Sequence, residues 1–399
     1  MLNSKLPRPL IRQRIQPWIG SALIKVITGQ RRVGKSSFLA SLAFEFEAAS
    51  GSAPLFVQLE SAEWRHIRTA DDLLAMAQKH APSGPAILMI DEVQEIEDFD
   101  LALRSLAAEE RWDLYVTGSN AELLSGEIAT RFAGRSITIE VPPLSYDEFL
   151  VFHRQEDSDE SLRKFLRYGG LPFLHHLPLE DETVFGYLGE VAQTAILKDI
   201  VQRHGVKNHD LLARLVTFLA DSVGSPVSAN SIARFLKSQR VAASVPTILD
   251  HIHHLEQAYL VRRTKRQDLT GKKILEVSEK HYFEDLGIRS VLLDRTKADP
   301  SQIVENAVHH RLVVDGWKIQ TGDLNGREID FVCQRGSDRM YVQATYVMTD
   351  ASTREREFGN LLALPDNHPK LVVSMDPWIQ DDRGVKHLSL RTFLHDGWG

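Results

Sequence analysis

Cysteine is almost absent from this sequence: Cys333 is the single one in 399 residues, so no disulfide can close within the chain and a disulfide-stapled scaffold is excluded. No apolar run approaches the roughly 18 to 20 residues needed to cross a bilayer. The opening stretch Met1-Leu2-Asn3-Ser4-Lys5-Leu6-Pro7-Arg8 has no secretory apolar segment. Together these absences lead us to expect a cytoplasmic protein with no membrane partner. There is no fixed-period repeat and no low-complexity tract, which sets aside solenoids and disordered tails. Acids are missing from residues 1–44, where Lys5, Arg8, Arg12, Arg14, Lys25, Arg31, Arg32 and Lys35 all lie. A second basic stretch holds Arg262, Arg263, Lys265, Arg266, Lys272 and Lys273, broken only by Asp268. With a net charge of −7 the whole chain is no polycation, so these are local fields, either phosphate-contacting surfaces or solvated basic faces.

What is present is globular. A hydrophobic share of 43% with 25% charged residues suits packed cores, and 399 residues suit two to four domains. Short apolar or β-branched runs at 23–28, 55–60, 86–91, 114–118 and 137–141 alternate with helix-like stretches such as 35–48 and 71–80. That alternation predicts a parallel sheet covered on both faces, an α/β nucleotide-binding architecture over residues 1–145. After Pro142-Pro143 the pattern turns to helix upon helix, broken at Gly169-Gly170-Leu171-Pro172, and predicts a helical lid or linker over 146–207. Three helical patterns (211–223, 229–237, 244–257) followed by strand-like runs at 258–263 and 281–283 predict a winged-helix domain over 208–295. The order helix, three strands, helix, strand then predicts a small α/β domain over 296–399.

Gly29-Gln30-Arg31-Arg32-Val33-Gly34-Lys35-Ser36 fits G-x-x-x-x-G-K-[ST] in full, between an apolar strand and a helix. The glycines let backbone N–H groups curl around a β-phosphate, and the following helix directs its positive end at the same charge. Gly29 to Ser36, with Ser37 behind them, are therefore candidate ATP-binding residues. Lys35 is expected to bridge the β- and γ-phosphates and Ser36 to ligate Mg²⁺. Ile87-Leu88-Met89-Ile90-Asp91-Glu92 supplies a buried strand with two carboxylates at its carboxyl end, where α/β sheets bind ligands. Asp91 is expected in the Mg²⁺ shell, and Glu92 as the group that orients or activates water. In Tyr115-Val116-Thr117-Gly118-Ser119-Asn120, Asn120 is preferred, then Ser119, as a contact to the γ-phosphate or the attacking water; the alternative is a simple turn.

Gly29 to Ser36, Asp91-Glu92, Thr117-Gly118-Ser119-Asn120 and Ala133-Gly134-Arg135 resemble the AAA+-like bacterial and archaeal P-loop ATPases that carry a restriction-endonuclease-like C-terminal domain. Pro143-Leu144-Ser145-Tyr146-Asp147-Glu148-Phe149, Tyr168-Gly169-Gly170-Leu171-Pro172 and Glu328-Ile329-Asp330-Phe331 extend the resemblance over essentially the whole chain. It implies an ATP- and Mg²⁺-dependent ATPase working as a homo-oligomer, with a hexameric ring as one form. It also implies a trans-acting arginine before the fifth strand, where Arg131 and Arg135 stand; a structural salt bridge is the other reading of both. The lid departs from the family, since Phe173 follows Pro172 where a second sensing arginine is usual.

In the winged-helix segment, Ser244, Thr247, His251, His253 and His254 lie on the expected recognition helix and Arg262, Arg263, Lys265 and Arg266 on the wing, which suits DNA, although winged helices also serve as protein-binding modules. The histidines lack metal spacing and are expected on a solvated helix face. The last domain resembles PD-(D/E)XK nucleases, with Asp330 and Glu305 at the metal-holding places. Its third strand reads Val342-Gln343-Ala344-Thr345, Gln-x-Thr for Glu-x-Lys, so it is expected to bind without cutting. Cys333 is expected as a small core residue. The combined expectation is an ATPase that couples hydrolysis to movement on DNA; a slow nucleotide switch or an ATP-licensed nuclease are the rivals.

Overall fold

The computed structural model describes residues 7–118, 132, 134–271, 274–293, 299–348 and 350–398, without the side chains of 274–277. Lys5, Ser119, Asn120, Arg131, Ala133, Lys272 and Lys273 lie outside the described residues. The chain divides into two compact units, Met1–Pro142 with Gln257–Tyr259, and Pro143–Glu256 with Leu260–Gly399.

The first unit opens with α1 (Pro9–Ile15) and then alternates strand and helix: β1 (Ile24–Thr28), α2 (Lys35–Ser50), β2 (Leu55–Gln58), α3 (Ala70–His80), β3 (Ala86–Asp91), α4 (Phe99–Ala108), β4 (Trp112–Thr117) and β5 (Ser136–Glu140). The sheet order is β2-β3-β4-β1-β5, with every pairing parallel. Strands buried on both faces read as unbroken apolar runs, and β1 is buried at all five positions. Its one charge, Lys25, is 0% exposed; its ammonium donates to the Ser21 carbonyl and pairs with Asp113 on β4, so the buried cation keeps a partner. Helix α3 starts with a capping box in which Thr69 and Asp72 satisfy each other's backbone N–H groups. Val26, Val57, Leu73, Leu88, Ile90, Leu103 and Val116 lie in the core between sheet and helices.

The second unit begins with α5 (Tyr146–His153), α6 (Asp159–Tyr168) and α7 (Asp181–Thr194), the last running on as a π-helical stretch, Ala195–Gln202. The Leu144-Ser145-Tyr146-Asp147-Glu148 motif is a helix start: Ser145 accepts from the Glu148 N–H and Glu148 from the Ser145 N–H. Three helices follow, α8 (His209–Asp221), α9 (Ala229–Ser238) and α10 (Val245–Gln257), then the ribbon β6 (Val261–Asp268) and β7 (Ile274–Phe283) and a short α11 (Leu286–Leu292). The Gly169-Gly170 pair is explained here. Gly169 has φ +77 and its absent Cβ would lie 2.5 Å from Asp285, whose carboxylate accepts from the N–H groups of Gly170 and Ile288 and ties the end of α6 to the start of α11.

The chain closes with α12 (Pro300–Val314), β8 (Lys318–Leu324), β9 (Arg327–Arg335), β10 (Asp338–Ala344), α13 (Ala351–Leu362), β11 (Lys370–Ser374), β12 (Lys386–Ser389) and α14 (Leu390–Asp396). These strands join the ribbon in one seven-stranded sheet, β12-β11-β10-β9-β8-β6-β7. The ribbon expected as a wing is thus two strands at one end of the C-terminal sheet, with β6 running parallel to β8. It begins later than the alternating pattern from 258 suggests, because Tyr259 takes a left-handed φ of 52. Cys333 is fully buried on β9, and burial pushes its thiol pKa up, as a core residue requires.

Several imidazoles of this unit are buried neutral. His281 is 3% exposed with neither ring nitrogen hydrogen bonded, and burial, with Arg263 nearby, lowers its pKa to about 4. Below the unfolded value near 6.5 the unfolded chain therefore takes up a proton that the folded chain refuses, and stability falls as pH drops from 6.5 toward 4. The expected slope from this residue is at most about 1.4 kcal/mol per pH unit. Urea unfolding between pH 7.5 and 5.5 checks it, with His281→Leu flattening the dependence by up to about one proton.

Candidate nucleotide-binding site

Residues 29–36 connect β1 to α2, and the conformation of the loop follows from its glycines. Gly29 has φ +141, and a Cβ there would lie 2.2 Å from the Val141 carbonyl oxygen. Gly34, at φ 92, is the left-handed N-cap of the 16-residue α2. No side chain caps this end, so the first-turn N–H groups face the loop's concavity, the arrangement that favours an anion. Arg32 is also left-handed, at φ 71. Arg8, which sequence reasoning left as one of a basic run, braces the loop from outside: its guanidinium donates to the carbonyls of Val33 at 3.0 Å and Pro142 at 2.8 Å. Most of that amino-terminal run is likewise engaged within the unit, Arg12 with Glu45 and Lys25 with Asp113.

Lys35 is 4% exposed, and its ammonium donates to the loop carbonyls of Gly29 at 2.9 Å and Gln30 at 3.0 Å, so it lies across the mouth of the loop. Gln30 is 2% exposed with neither amide atom hydrogen bonded, a buried polar side chain within the loop. Arg31 is half-buried, while Arg32 and Ser37 are exposed.

The carboxylates stand at the carboxyl end of β3. Asp91 is 7% exposed; burial pushes its pKa up, while hydrogen bonds from the Thr117 and Ser36 hydroxyls pull it back toward the charged form. Thr117 at the end of β4 donates to Asp91 Oδ1 at 2.6 Å and accepts from the Glu92 N–H at 2.9 Å. One hydroxyl therefore sets both acids, a role that sequence reasoning assigned to no residue; Asn120 and Ser119, expected as contacts to the γ-phosphate or the attacking water, lie outside the described residues. Glu92 sits at a left-handed φ of 59, and its carboxylate accepts from the Gln94 amide. Ser36 and Asp91 offer a hydroxyl and a carboxylate near one another, the hard oxygen pair that Mg²⁺ requires, with Lys35 beside them for the phosphates; the residues fit Mg-ATP. Arg135 is exposed and precedes β5, and its carbonyl accepts from Ile24 N–H at the start of β1. It stands at the sheet edge opposite the loop, roughly 15 Å away along a five-residue strand, so it cannot serve the phosphates of its own chain.

The other sites foreseen in the sequence are rearranged. On the ribbon, Arg262 pairs with Glu284 at 2.6 Å, Arg263 with Glu256 at 2.9 Å and Arg266 with Asp323 at 2.6 Å, so these three arginines are neutralised in place, while Lys265 is exposed. His251 is buried and His254 stacks on His204 with ring centroids 3.9 Å apart, leaving only His253 of the three exposed; the solvated face expected for them is mostly turned inward. Among the described residues no His, Cys, Asp or Glu group is arranged to hold a metal. Around Asp330 and Glu305 the reason is visible. The Lys280 ammonium, 1% exposed, contacts Glu305 at 2.8 Å, Glu328 at 2.8 Å and Asp330 at 3.0 Å, taking the place a cation would need. Burial disfavours its charge, but Asp330, Tyr282, Glu305 and Glu328 outweigh burial and hold it protonated. Gln343 accepts from the Asp330 N–H and donates to Glu357, so its amide is committed to the same network. These residues do not fit a nuclease metal site.

Two outcomes are expected. Thr117→Val keeps the side-chain shape and removes both hydrogen bonds; ATP turnover should fall by about 10² or more, with Mg-ATP affinity weakened as Asp91 loses a donor that favours its charge, read by steady-state hydrolysis and by titration. Lys280→Met leaves buried carboxylates without their cation and should destabilise the second unit by about 3 to 5 kcal/mol in urea unfolding.

Comparison with known proteins agrees with the first unit. A family described as an AAA domain matches residues 21–150, and a domain of unknown function (DUF8612) matches residues 159–299. A protein of Haemophilus influenzae described as uncharacterized is 31% identical over 384 residues, 94% of each chain. One of Methanocaldococcus jannaschii, also described as uncharacterized, is 26% identical over 353 residues, covering 84% of this chain and 77% of the relative. Among solved structures, a Walker-type ATPase of Pyrococcus abyssi overlaps with a TM-score of 0.48 at 14% identity, over 73% of this chain and 99% of that one. The chain belongs to the family of the Haemophilus influenzae protein, and its amino-terminal third is an AAA-type P-loop domain.

Proposed function

We propose that the protein is a Mg²⁺-dependent ATPase of AAA+ type that works as a homo-oligomer and couples hydrolysis to movement or remodelling on DNA. The observation that carries the ATPase reading is the hydrogen-bonded chain Asp91–Thr117–Glu92, with Ser36 near Asp91, at the mouth of a loop with Lys35 across it. Bound Mg²⁺ supplies charge neutralisation to the phosphates there. Ser36 and Asp91 hold the metal shell, Lys35 takes the β- and γ-phosphates, and the first-turn N–H groups of α2 receive the phosphate charge. Glu92, aligned through its backbone by Thr117, orients and deprotonates the attacking water.

The placement of Arg135 supports an oligomer, because a guanidinium on the far edge of the sheet has phosphates within reach only on a neighbouring copy. Arg131 and Asn120 stay as candidates for the trans arginine and the water contact. In the second unit, 146–207 is proposed as lid, 208–295 as the DNA-binding segment and 296–399 as a non-cleaving platform completed by Lys280. The DNA reading is supported by the succession of α8, α9 and α10.

Glu92→Gln tests the reading. Turnover should drop by about 10² to 10⁴ with ATP still bound, and native mass spectrometry of that variant with Mg-ATP should give an assembly larger than a monomer. A monomer at saturating ATP contradicts the trans-arginine mechanism, and unchanged turnover contradicts the role of Glu92.

A further inference from the structure

The basic residues that the sequence offers for nucleic acid, those of the ribbon, mostly hold carboxylates instead. Free positive charge is found one step earlier in the chain. From Ser222 to Leu249 there is no acidic residue, in a chain whose net charge is −7, while Arg234, Lys237 and Arg240 fall inside that window. All three are exposed, and among the described residues their side chains have neither ion pair nor hydrogen bond.

The local fold explains why they stand outward. Ile232 and Leu236 bury one face of α9, and Ile248, Ile252 and Leu255 bury one face of α10. Arg234 and Lys237, three apart, share the opposite face of α9. Ser228 caps α9 by accepting from the Ser231 N–H at 3.1 Å, and Ser244 caps α10 by accepting from the Thr247 N–H at 3.2 Å. Between them Arg240 takes a left-handed φ of 61, which makes the turn and leaves its guanidinium at the joint of the two helices. In a helix-turn-helix the second helix enters the major groove while the first helix crosses the backbone. The three cations therefore lie on the first helix and the turn, where phosphates pass. The exposed face of α10 shows Pro246, Leu249, Asp250 and His253, a set poor in the Arg, Asn and Gln that read base edges.

We infer that Arg234, Lys237 and Arg240 form the phosphate-contacting surface of a duplex-binding helix-turn-helix, and that this surface grips the duplex backbone without reading sequence. The inference rests on the proposal that the protein acts on DNA and names the side chains that meet it. The neighbouring Gln239, also exposed, adds a neutral amide donor beside them.

The test is fluorescence anisotropy of the full-length protein on two labelled duplexes of unrelated sequence across a salt series. The variants are the wild type, the triple Arg234→Gln, Lys237→Gln, Arg240→Gln, and Arg263→Gln on the ribbon. The wild type should bind both duplexes with equal affinity. The triple variant should lose about 10²-fold at 0.1 M salt, and its slope of log affinity against log salt should shrink by about 2 to 3, one unit less 10% per phosphate contact removed. Arg263→Gln should stay within about threefold of wild type. A far-UV circular dichroism spectrum and a urea-unfolding midpoint of the triple variant that match the wild type show that the second unit is folded. No binding by the wild type overturns the DNA reading itself. Wild-type binding that the triple variant retains with the same slope overturns this assignment alone, as does a strong preference for one sequence. Binding of the wild type to phosphatidylserine vesicles that the triple variant loses, with duplex binding unaffected, assigns the surface to lipid and also overturns it.

Discussion

Everything proposed for the first unit depends on one buried carboxylate. Asp91 is taken out of water at the end of β3 and kept usable by two hydroxyls, Ser36 from the start of α2 and Thr117 from the end of β4. Without those donors burial would push its pKa further up and weaken it as a partner for a cation. The arrangement joins three neighbouring strand ends, because β1 leads into the loop that carries Ser36 and pairs with β4, which pairs with β3. Parallel pairing puts all these carboxyl ends at one edge, and the loop glycines let the backbone close over it. Fold and site share one cause.

The second unit follows a different electrostatic logic, in which the obvious charges are spent inside. Lys280 fills the acid cluster of Glu305, Glu328 and Asp330, and the ribbon arginines hold Glu256, Glu284 and Asp323. Such pairs cost about as much to desolvate as they return, so they speak for a defined arrangement of charges more than for stability. Their consequence for function is subtraction: they remove residues that a sequence presents as available, and they leave the unpaired cations of α9 and its turn as the exposed positive feature of the acid-free window.

What could be read in advance divides by the distance over which it was encoded. The P-loop, the strands of the first sheet and the capping box at Ser145 and Glu148 are local, each specified by residues within one element and its neighbour. Thr117 was within reach, a polar residue closing an apolar strand, but only the register of Ile90 with Val116 sets it beside Asp91. The merger of the ribbon with the C-terminal sheet depends on Arg266 meeting Thr321 across more than fifty residues, which no local pattern carries. The same holds for Lys280, whose carboxylates come from α12 and β9, and for β12 and α14, too short and polar to stand out before they pack on β11. Gly169 stood out in a motif without a reason until Asp285 supplied one.

The central claim is that the loop ending in Ser36 and the acidic end of β3 together hold a metal-bound triphosphate. Isothermal titration of ATP into the wild type with Mg²⁺, into the wild type with EDTA, and into Asp91→Asn with Mg²⁺ tests it most directly. The account requires tight binding in the first case, with the loss of metal and the loss of the Asp91 charge each weakening affinity by about tenfold or more. Equal affinity with and without Mg²⁺, or an Asp91→Asn protein that binds Mg-ATP as the wild type does, contradicts it.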